Sequence, residues 1–364
     1  MHLIASFVLL LMLNFNVLAD RVAINAVGIP LADHYPAIIA YEKYKDEMIY
    51  ADFHLKLLPG PELVRAYFRS KADIDIAFNV SPMVMDMFAK QPDFRWISLI
   101  HRDGNVFAIN APFNDIVKLP LKKIKRLPDN KIADALTLLK RKLGKPIECA
   151  IPSPLATHTT ILYKYLKDHN KTMGFRRGEG VDVLLRVVKP PKSPVFLKKQ
   201  AARSLPAAFE QSLPWAEVVE TNGYGLVGWY SKDVMQHKHG HVECIIIAKD
   251  SVISNKRAAL QEVINYIHQA GQDIELARRE GGENMEQIVK MIRKHIPAHN
   301  RSAIIESLRV DLNVINYRHM NVDHNAKSSF REIMELAYEA GFIKKKINIE
   351  ELADESFATE VTNK

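Results

Sequence analysis

The sequence predicts an α/β fold with two lobes, and three observations support this prediction. Short apolar strands alternate with amphipathic helices along most of the chain, an order typical of parallel sheets covered by helices. Three of these strands run directly into a polar, proline-marked helix start, in residues 23–39, 75–88 and 148–166. A loop-like stretch separates two such series of strands and helices. Because open α/β sheets bind ligands at the carboxyl ends of their strands, the pattern predicts a protein that holds a small solute.

The first series of elements precedes residue 110. The expected elements are strands at 21–27, 52–58 and 74–79, helices at 33–44, 60–70 and from 81, and an extended segment at 96–109. Asp33 and Ser81 are expected to cap the helices that they begin, since their side chains accept bonds from free backbone N–H groups. Residues 110–130 are rich in Pro and Lys and predict a surface loop.

The second series and a helical region complete the chain. The expected elements are helices at 131–143, 157–169 and 215–221, strands at 146–151, 181–188, 225–230 and 242–249, and helices from 255 to 340. This order predicts a discontinuous first lobe, 20–103 plus 250–345, around an inserted second lobe, 104–249. Residues 346–364 would form a partly frayed C-terminal tail. A cleft between two lobes is a favoured ligand site, and hinge closure is the expected motion.

The amino terminus has the composition of a secretory signal peptide. Residues 3–19 are apolar and uncharged, and Val17 and Ala19 fit a cleavage site after Ala19. Residues 1–19 are therefore expected to direct the protein to the periplasm. The alternative is an uncleaved anchor.

Charge and cysteine content restrict the class of protein further. The formal net charge is +8, but Lys and Arg are scattered rather than arranged in a stripe with aromatic residues, which argues against nucleic-acid binding. Cys149 and Cys244 are the only cysteines. In an oxidising compartment they could form a disulfide; the alternative is two separately buried thiols.

Four segments resemble a known family. They are Asp33-His34-Tyr35-Pro36, residues 75–79 before Ser81, Ile151-Pro152-Ser153-Pro154 with Thr157-His158, and Lys189-Pro190-Pro191 followed by residues 210–215. Together they make residues 20–345 resemble the periplasmic solute-binding proteins of ABC importers, of the nitrate/taurine/bicarbonate/thiamine-precursor (NitT/TauT) type. The chain departs from that pattern after the first strand, where Val27-Gly28-Ile29 replaces a frequent Trp. It also separates Glu210 from the Pro-Trp pair.

This resemblance implies the two-lobe, type II periplasmic-binding-protein fold with two hinge crossings. It implies capture of a small polar or anionic solute, of the nitrate, bicarbonate, sulfonate or thiamine-precursor class, in an interlobe cleft. The implied partners are that solute and a membrane ABC permease, with the protein a monomer. The alternative is a periplasmic ligand sensor that docks on a membrane receptor.

Enzyme motifs are absent from the sequence. It contains no G-x-S-x-G, no H-E-x-x-H and no Gly-rich phosphate loop. Ser153 and His158 pair a hydroxyl with an imidazole, but nothing in the sequence places an acid behind them. We therefore expect no catalytic residue and no cofactor, and a periplasmic enzyme of related fold is a third hypothesis.

The candidate ligand-binding residues lie at the predicted strand ends and in the family-like segments. They are Asp33, His34, Tyr35, Asn79, Ser81, His101, Arg102, Ser153, Thr157, His158, Glu210, Gln211 and Trp215.

Each of these candidates also has a structural alternative. The hydroxyls could contact a ligand or cap helices, and the imidazoles could donate to an anion or pack inside a lobe. Arg102 could clamp an anion with two bonds, or form an ion pair in the hinge. Glu210 would favour an amine or hydroxyl donor on the ligand. Trp215 and Tyr35 could form apolar walls or pack the lobes together.

No metal site is expected from the sequence. His237, His239 and His241 would share one face of an extended strand, but a surface loop is the preferred interpretation. The acidic and amide residues of 311–323 lack the spacing of a calcium loop. The Met and Phe residues of 83–88 are interpreted as core packing.

Overall fold

The structure is a computed structural model that describes residues 21–178 and 180–359. The predicted signal peptide lies outside the described residues. The strands, in chain order, are β1 (Val22–Gly28), β2 (Ala51–Leu57), β3 (Ile76–Val80), β4 (Phe94–Leu99), β5 (Arg102–Asp103), β6 (Asn105–Asn110), β7 (Ile147–Ile151), β8 (Met173–Gly174), β9 (Val183–Val187), β10 (Ala207–Ser212), β11 (Gly225–Tyr230), β12 (Cys244–Lys249) and β13 (Ile315–Asn316).

Helices cover the sheets formed by these strands. In chain order they are α1 (Tyr35–Ile39), α2 (Pro61–Ser70), α3 (Ser81–Lys90), α4 (Ala111–Val117), α5 (Asn130–Leu143), α6 (Thr157–Asp168), α7 (Ser193–Ala201), α8 (Trp215–Thr221), α9 (Ser231–Val234), α10 (Asp250–Asn255), α11 (Arg257–Glu280), α12 (Gly282–His295), α13 (Arg301–Ser307), α14 (His324–Glu339) and α15 (Ile349–Leu352). Within the described ranges, none of the helices combines the length and the apolar character needed to cross a bilayer.

The first sheet has the strand order β2-β1-β3-β12-β4. β1 runs parallel to β2 and β3, whereas β12 runs antiparallel to β3 and β4. The residues of the central strand β3 are all buried, as expected when helices cover both faces of a sheet. Because β12 is antiparallel, its first residue, Cys244, pairs with Val80 at the end of β3. One edge of this sheet therefore collects the carboxyl ends of β1, β3 and β4 and the amino end of β12.

The second sheet has the strand order β11-β6-β10-β7-β9-β8. β10, β7 and β9 run parallel, and β6 runs antiparallel to β10. Ser212, the last residue of β10, pairs with Asn105, the first residue of β6. The polar residues Ser212 and Asn105 thus lie together at one edge of this sheet.

The chain passes between the two sheets twice. Residues 100–104 lead from β4 to β6 and include β5, which pairs with β13. Residues 231–243 lead from β11 through α9 to β12. The sequence analysis placed 242–249 at the end of the second lobe, but β12 lies between β3 and β4 of the first sheet. Its Ile245-Ile246-Ile247 run is buried there, so the second crossing precedes Cys244 instead of following residue 249.

Two segments are more ordered than the sequence indicated. Residues 110–130 contain α4, which Asn110 caps by accepting a bond from the backbone N–H of Phe113. The described part of the predicted tail, up to residue 359, packs on β4, where the backbone N–H of Asp354 donates to the carbonyl of Trp96 at 2.8 Å. Leu352 and Phe357 bury their side chains in the core. Apolar side chains therefore anchor a segment whose acidic composition had suggested fraying.

The two cysteines belong to different sheets. Cys149 lies on β7 of the second sheet and Cys244 begins β12 of the first. Both are buried free thiols. The disulfide is therefore not formed, and the alternative of separately buried thiols describes the structure.

Replacing Leu352 with Ala tests whether the C-terminal segment is part of the folded core. The Leu352 side chain has 0% exposure, so we expect the free energy of unfolding to fall by about 2–5 kcal/mol. Leu121→Ala is the matched control, because Leu121 is 95% exposed and should change stability little. Urea unfolding followed by circular dichroism measures both variants. Equal stability of Leu352→Ala and the parent protein would mean that the segment is not packed.

Candidate functional site

The facing edges of the two sheets bring polar side chains together in one buried group, which we call the interlobe cluster. Its members are Asp33, His101, His158, Ser212, Glu243 and Cys244, each at most 1% exposed. Asp33 lies in a short 3-10 turn after β1, and His101 and Glu243 lie in the two crossings. His158 is in the first turn of α6, and Ser212 ends β10. Both sheets and both crossings thus contribute to the cluster.

The members of the cluster form a closed ring of polar contacts. Ser212 Oγ donates to Asp33 Oδ2 at 2.8 Å and lies 2.7 Å from His158 Nε2. His158 Nδ1 lies 3.3 Å from Glu243 Oε1. On the other side, Glu243 Oε2 lies 3.2 Å from His101 Nε2, which is 3.7 Å from Asp33 Oδ2. The ring therefore links residues of the first sheet to Ser212 and His158 of the second.

Cys244 adds a thiol to this ring. Its Sγ donates to Asp33 Oδ2 at 3.8 Å, and its backbone N–H donates to His101 Nε2 at 3.3 Å. Single side-chain atoms of Asp33, His101, Glu243 and Cys244 all lie within 4.8 Å of one another. These residue types are the ligands that proteins use for transition metals.

Burial controls the protonation of the cluster. It raises the pKa of Asp33 to about 7, although the nearby His101 lowers it, and it raises the pKa of Glu243 to about 8. Burial also lowers the pKa of His158 to about 3, with a further contribution from His101. Near neutral pH, His158 is therefore uncharged and Glu243 is mostly protonated. This state suits the short distances, because a protonated Glu243 can donate to His158 Nδ1 while His158 Nε2–H donates to Ser212.

Several buried polar atoms of this region have no hydrogen-bond partner within the described part of the chain. They are Asp33 Oδ1, His101 Nδ1, Asn105 Oδ1 and Nδ2, Thr157 Oγ1, His158 Nδ1, both carboxyl oxygens of Glu210, Gln211 Oε1 and Glu243 Oε1. Leaving such a group unsatisfied costs about 1–3 kcal/mol. Water or a polar ligand between the two sheets would satisfy these atoms.

Ser81 and Asn79, two of the predicted contacts, support the backbone around the cluster. Ser81 Oγ donates to the carbonyl of Glu243 at 2.6 Å and does not cap α3, whose N-cap is Val80. Asn79 Oδ1 accepts from the Val80 N–H at 2.9 Å, and its amide donates to Pro61 at 3.4 Å. The capping interpretation of Ser81 is therefore wrong, because the second crossing brings a carbonyl within reach of its hydroxyl.

Ser153 and Thr157 lie at the start of α6. Ser153 Oγ accepts from the Leu155 N–H at 3.1 Å and so shapes the turn before the helix. The helix is preceded by Ala156, and no side chain caps it. Thr157 leaves its buried hydroxyl unpaired, so its capping interpretation is also wrong. The same holds for Asp33, whose carboxyl accepts from Ser212 instead of capping the first helix.

Arg102 and His34 form hydrogen bonds with the backbone. Arg102 donates to the carbonyls of His319 (2.9 Å) and Gly240 (3.2 Å) and lies 3.9 Å from Asp323. This geometry matches the alternative of an ion pair in the hinge. His34 Nδ1 accepts from the Ile29 N–H at 2.8 Å, and burial lowers its pKa to about 3. A neutral imidazole of this kind carries no charge for an anion.

Aromatic residues close the interface beside the cluster. Trp215 is the first residue of α8, and its indole N–H donates to the Pro30 carbonyl at 3.2 Å. Its ring meets His299 edge-on at 4.6 Å, and Tyr35 Oη lies 3.0 Å from His299 Nδ1. Trp215 and Tyr35 therefore pack the two halves against each other through His299, which the sequence analysis did not select.

Glu210 and Gln211 lie on β10 near the cluster. Glu210 and Ser212 are two residues apart on β10, so their side chains point to the same face of the sheet. Burial raises the pKa of Glu210 well above its ordinary value. Gln211 points the other way and donates to the Val188 carbonyl at 3.1 Å.

The histidine triplet lies in the loop before β12, and its members face different partners. His241 is buried, 2.8 Å from Ser231 Oγ, whereas His237 lies 3.0 Å from Glu332 and His239 stacks on His319. The triplet therefore does not form a metal site on one strand face.

The sequence analysis missed Ser212, Glu243 and Cys244 as members of the site. Glu243 stands directly before a fully apolar strand, which is an unusual position for a charged residue and was an available signal. Ser212 lies in the family-like segment 210–215 but was not selected as a candidate. Cys244 was considered only as a partner for Cys149.

Replacing Glu210 with Gln tests the protonation of the buried carboxyl. Its folded pKa lies above the unfolded value of 4.5, so the folded protein binds the extra proton and the parent loses stability as pH rises above that value. We expect Glu210→Gln to reduce this loss by up to about 1.4 kcal/mol per pH unit as the pH rises above 4.5. Urea unfolding at several pH values measures it. Glu283→Gln, at an exposed position, is the control; identical pH slopes for all three proteins would contradict the prediction.

Comparison with known proteins agrees with this architecture. The profile of the NMT1-like family matches residues 23–293. None of the curated proteins compared with the chain matches it.

Three solved structures are similar in fold. One is a ligand-binding component of an ABC-type import system from Staphylococcus aureus with zinc bound (TM-score 0.69, 14% identity, 94% of this chain and 99% of that chain). Another is the periplasmic nitrate-binding protein NrtA from Synechocystis PCC 6803 (TM-score 0.72, 16% identity, 93% of this chain and 87% of that chain). The third is the alkanesulfonate-binding protein SsuA from Xanthomonas axonopodis pv. citri bound to MOPS (TM-score 0.65, 11% identity, 92% of this chain and 99% of that chain). These similarities confirm the predicted two-lobe fold.

Proposed function

The chain belongs to the NMT1-like family, and we propose that it is the periplasmic solute-binding component of an ABC importer. In this role it captures a small polar solute between its lobes and delivers it to a membrane permease, with residues 1–19 as its export signal. The observation that supports the proposal best is the interlobe cluster, in which buried polar atoms from both sheets lack partners. The similar structures include ligand-binding proteins of import systems, which supports the same role.

The proposed mechanism is closure of the lobes around the solute. Residues 100–104 and 231–243 would act as the hinge, since they are the two connections between the sheets. Asp33 and Glu243 contact the solute from the first lobe, and His158 and Ser212 contact it from the second. A ligand that touches both sides shifts the population to the closed arrangement, whereas a ligand with equal affinity for both arrangements does not.

The chemistry of the cluster favours a solute that offers hydrogen-bond donors or positive charge. The carboxyls of Asp33 and Glu243 are acceptors when ionised, and the His158 imidazole is neutral. Arg102 is committed to backbone carbonyls elsewhere. Nitrate, bicarbonate and sulfonates would be repelled by Asp33 and Glu243 once these carboxyls ionise, and the neutral His158 offers an anion no positive charge. An amine-bearing pyrimidine of the thiamine-precursor class, or a cation, meets the requirement.

The solute can be identified from the purified protein. We expect a small molecule or ion to be released on denaturation and detected by mass spectrometry. Returning it should compact the solute-free protein in small-angle X-ray scattering. Nitrate, taurine and bicarbonate should bind more weakly than an aminopyrimidine or a cation in calorimetry. Absence of compaction with every member of this panel and with the released material would contradict the proposed function.

A variant of His158 connects this binding to the cluster. We expect His158→Asn to weaken binding of the identified solute by about tenfold or more, since it removes a buried contact made by the second lobe. His169→Asn is the matched control: His169 caps the other end of α6 and bonds to the Tyr165 carbonyl, away from the cluster. Equal affinities of the two variants would contradict the role assigned to His158.

A further inference from the structure

We propose that the interlobe cluster binds a divalent transition-metal ion of the zinc class, with Asp33, His101, Glu243 and Cys244 as its ligands. The inference rests on the proposed function in that it names the captured solute. The four residues come from the ligand-binding edge of the first sheet: the turn after β1, the crossing after β4, and the start of β12. All four side chains have 0% exposure.

Three of the six distances between the four ligand atoms are close to those around a tetrahedral ion, and all six are within 4.8 Å. Metal bonds of about 2.0–2.2 Å to N or O and about 2.3 Å to S place neighbouring ligand atoms about 3.3–3.7 Å apart in a tetrahedron. In the cluster, His101 Nε2 lies 3.2 Å from Glu243 Oε2 and 3.7 Å from Asp33 Oδ2. Cys244 Sγ lies 3.8 Å from Asp33 Oδ2. An ion could therefore bind with small side-chain adjustments, and it would take over the contact of His101 Nε2 with the Cys244 N–H.

The kinds of ligand determine the kind of metal. A thiolate and an imidazole favour zinc and its transition-metal neighbours, whereas Mg²⁺ and Ca²⁺ prefer oxygen ligands throughout. Two carboxylates and a thiolate carry three negative charges, so the site with a divalent ion would have a net charge of −1. Cys244 and Glu243 bind metal in their ionised forms, so the protons that they hold in the metal-free protein are released to solvent on binding.

Unpartnered buried atoms point to a ligand independently of these distances. Asp33 Oδ1 has no hydrogen-bond partner among the described residues, and Glu243 Oε1 has only His158 Nδ1 nearby, at 3.3 Å, although both carboxyl side chains are fully buried. Two carboxyls held together in this way gain from a cation between them, because an uncompensated buried charge costs several kcal/mol.

The second sheet supplies groups that orient the ligands. Ser212 donates to Asp33 Oδ2, and His158 Nδ1 approaches Glu243 Oε1. Ser81 fixes the backbone of Glu243 from the first sheet. Such outer contacts set the direction of metal ligands and are worth about 10–100-fold in affinity. The geometry therefore assigns metal binding to the first lobe and closure over the ion to the second.

The test titrates metal-free protein, kept reduced, with Zn²⁺ in calorimetry and with Co²⁺ in absorption spectroscopy. We expect one ion per chain, with Co²⁺ giving the visible bands of a tetrahedral site and a near-ultraviolet band of a cobalt–thiolate bond. Cys244→Ser should remove the thiolate band and weaken Zn²⁺ binding by about tenfold or more. Cys149→Ser is the matched control, since it removes the other buried thiol and should keep both properties.

Folding of the variants is checked by circular dichroism, and His101→Gln provides a second ligand variant if Cys244→Ser fails to fold. Absence of stoichiometric binding, or an unchanged cobalt spectrum in Cys244→Ser, would overturn the inference. If scattering shows compaction on an organic solute while Zn²⁺ does not bind, the metal inference fails and the proposed function stands. If Zn²⁺ binds as expected without compaction, the metal site stands and solute capture by closure fails.

Discussion

Exclusion of water from the space between the two sheets is the constraint on which the site depends. Asp33, Glu243 and Glu210 would ionise in water, but burial raises the pKa of each of them. The same burial lowers the pKa of His158. Acids and imidazoles therefore meet as largely neutral partners whose hydrogen bonds replace those of water. This arrangement contributes to holding the two sheets together, because each side supplies polar groups that bond to the other.

The sequence predicts the first-sheet half of the architecture well, because that information is local. Asp33 and His158 lie in the segments that follow β1 and β7, so the position of a strand end was enough to select them. His101 lies in the extended segment predicted at 96–109, shortly before the predicted lobe boundary at residue 103. Glu243 and Ser212 depend on a pairing that no local pattern contains: β12 returns to the first sheet and lies between β3 and β4. Until that return is known, neither residue can be placed opposite Asp33.

Long-range contacts also explain why local rules for single residues failed. Ser81 stands where a helix cap is expected, yet its hydroxyl bonds to the Glu243 carbonyl, which lies 162 residues away in sequence. Arg102 carries the right charge for an anion, yet the hinge loops present carbonyls of Gly240 and His319 to it. A helix terminus or a guanidinium has several adequate partners, and the tertiary fold decides among them. The burial of Leu352 in a segment of acidic composition follows from the same competition.

In the proposed mechanism, closure of the lobes depends on the occupant, because each lobe contributes different groups to the cluster. Asp33 and Glu243 belong to the first sheet and its crossing, whereas Ser212 and His158 arrive with the second sheet. Covering two carboxylates without a cation removes them from water with incomplete compensation, which costs several kcal/mol for an unpaired ion. Covering the same carboxylates with a cation between them leaves Ser212 and His158 to hydrogen-bond ligands that are already neutralised. In the proposed mechanism, the first lobe binds the charge of the occupant, the second lobe covers it with polar side chains, and the occupant leaves when the crossings open.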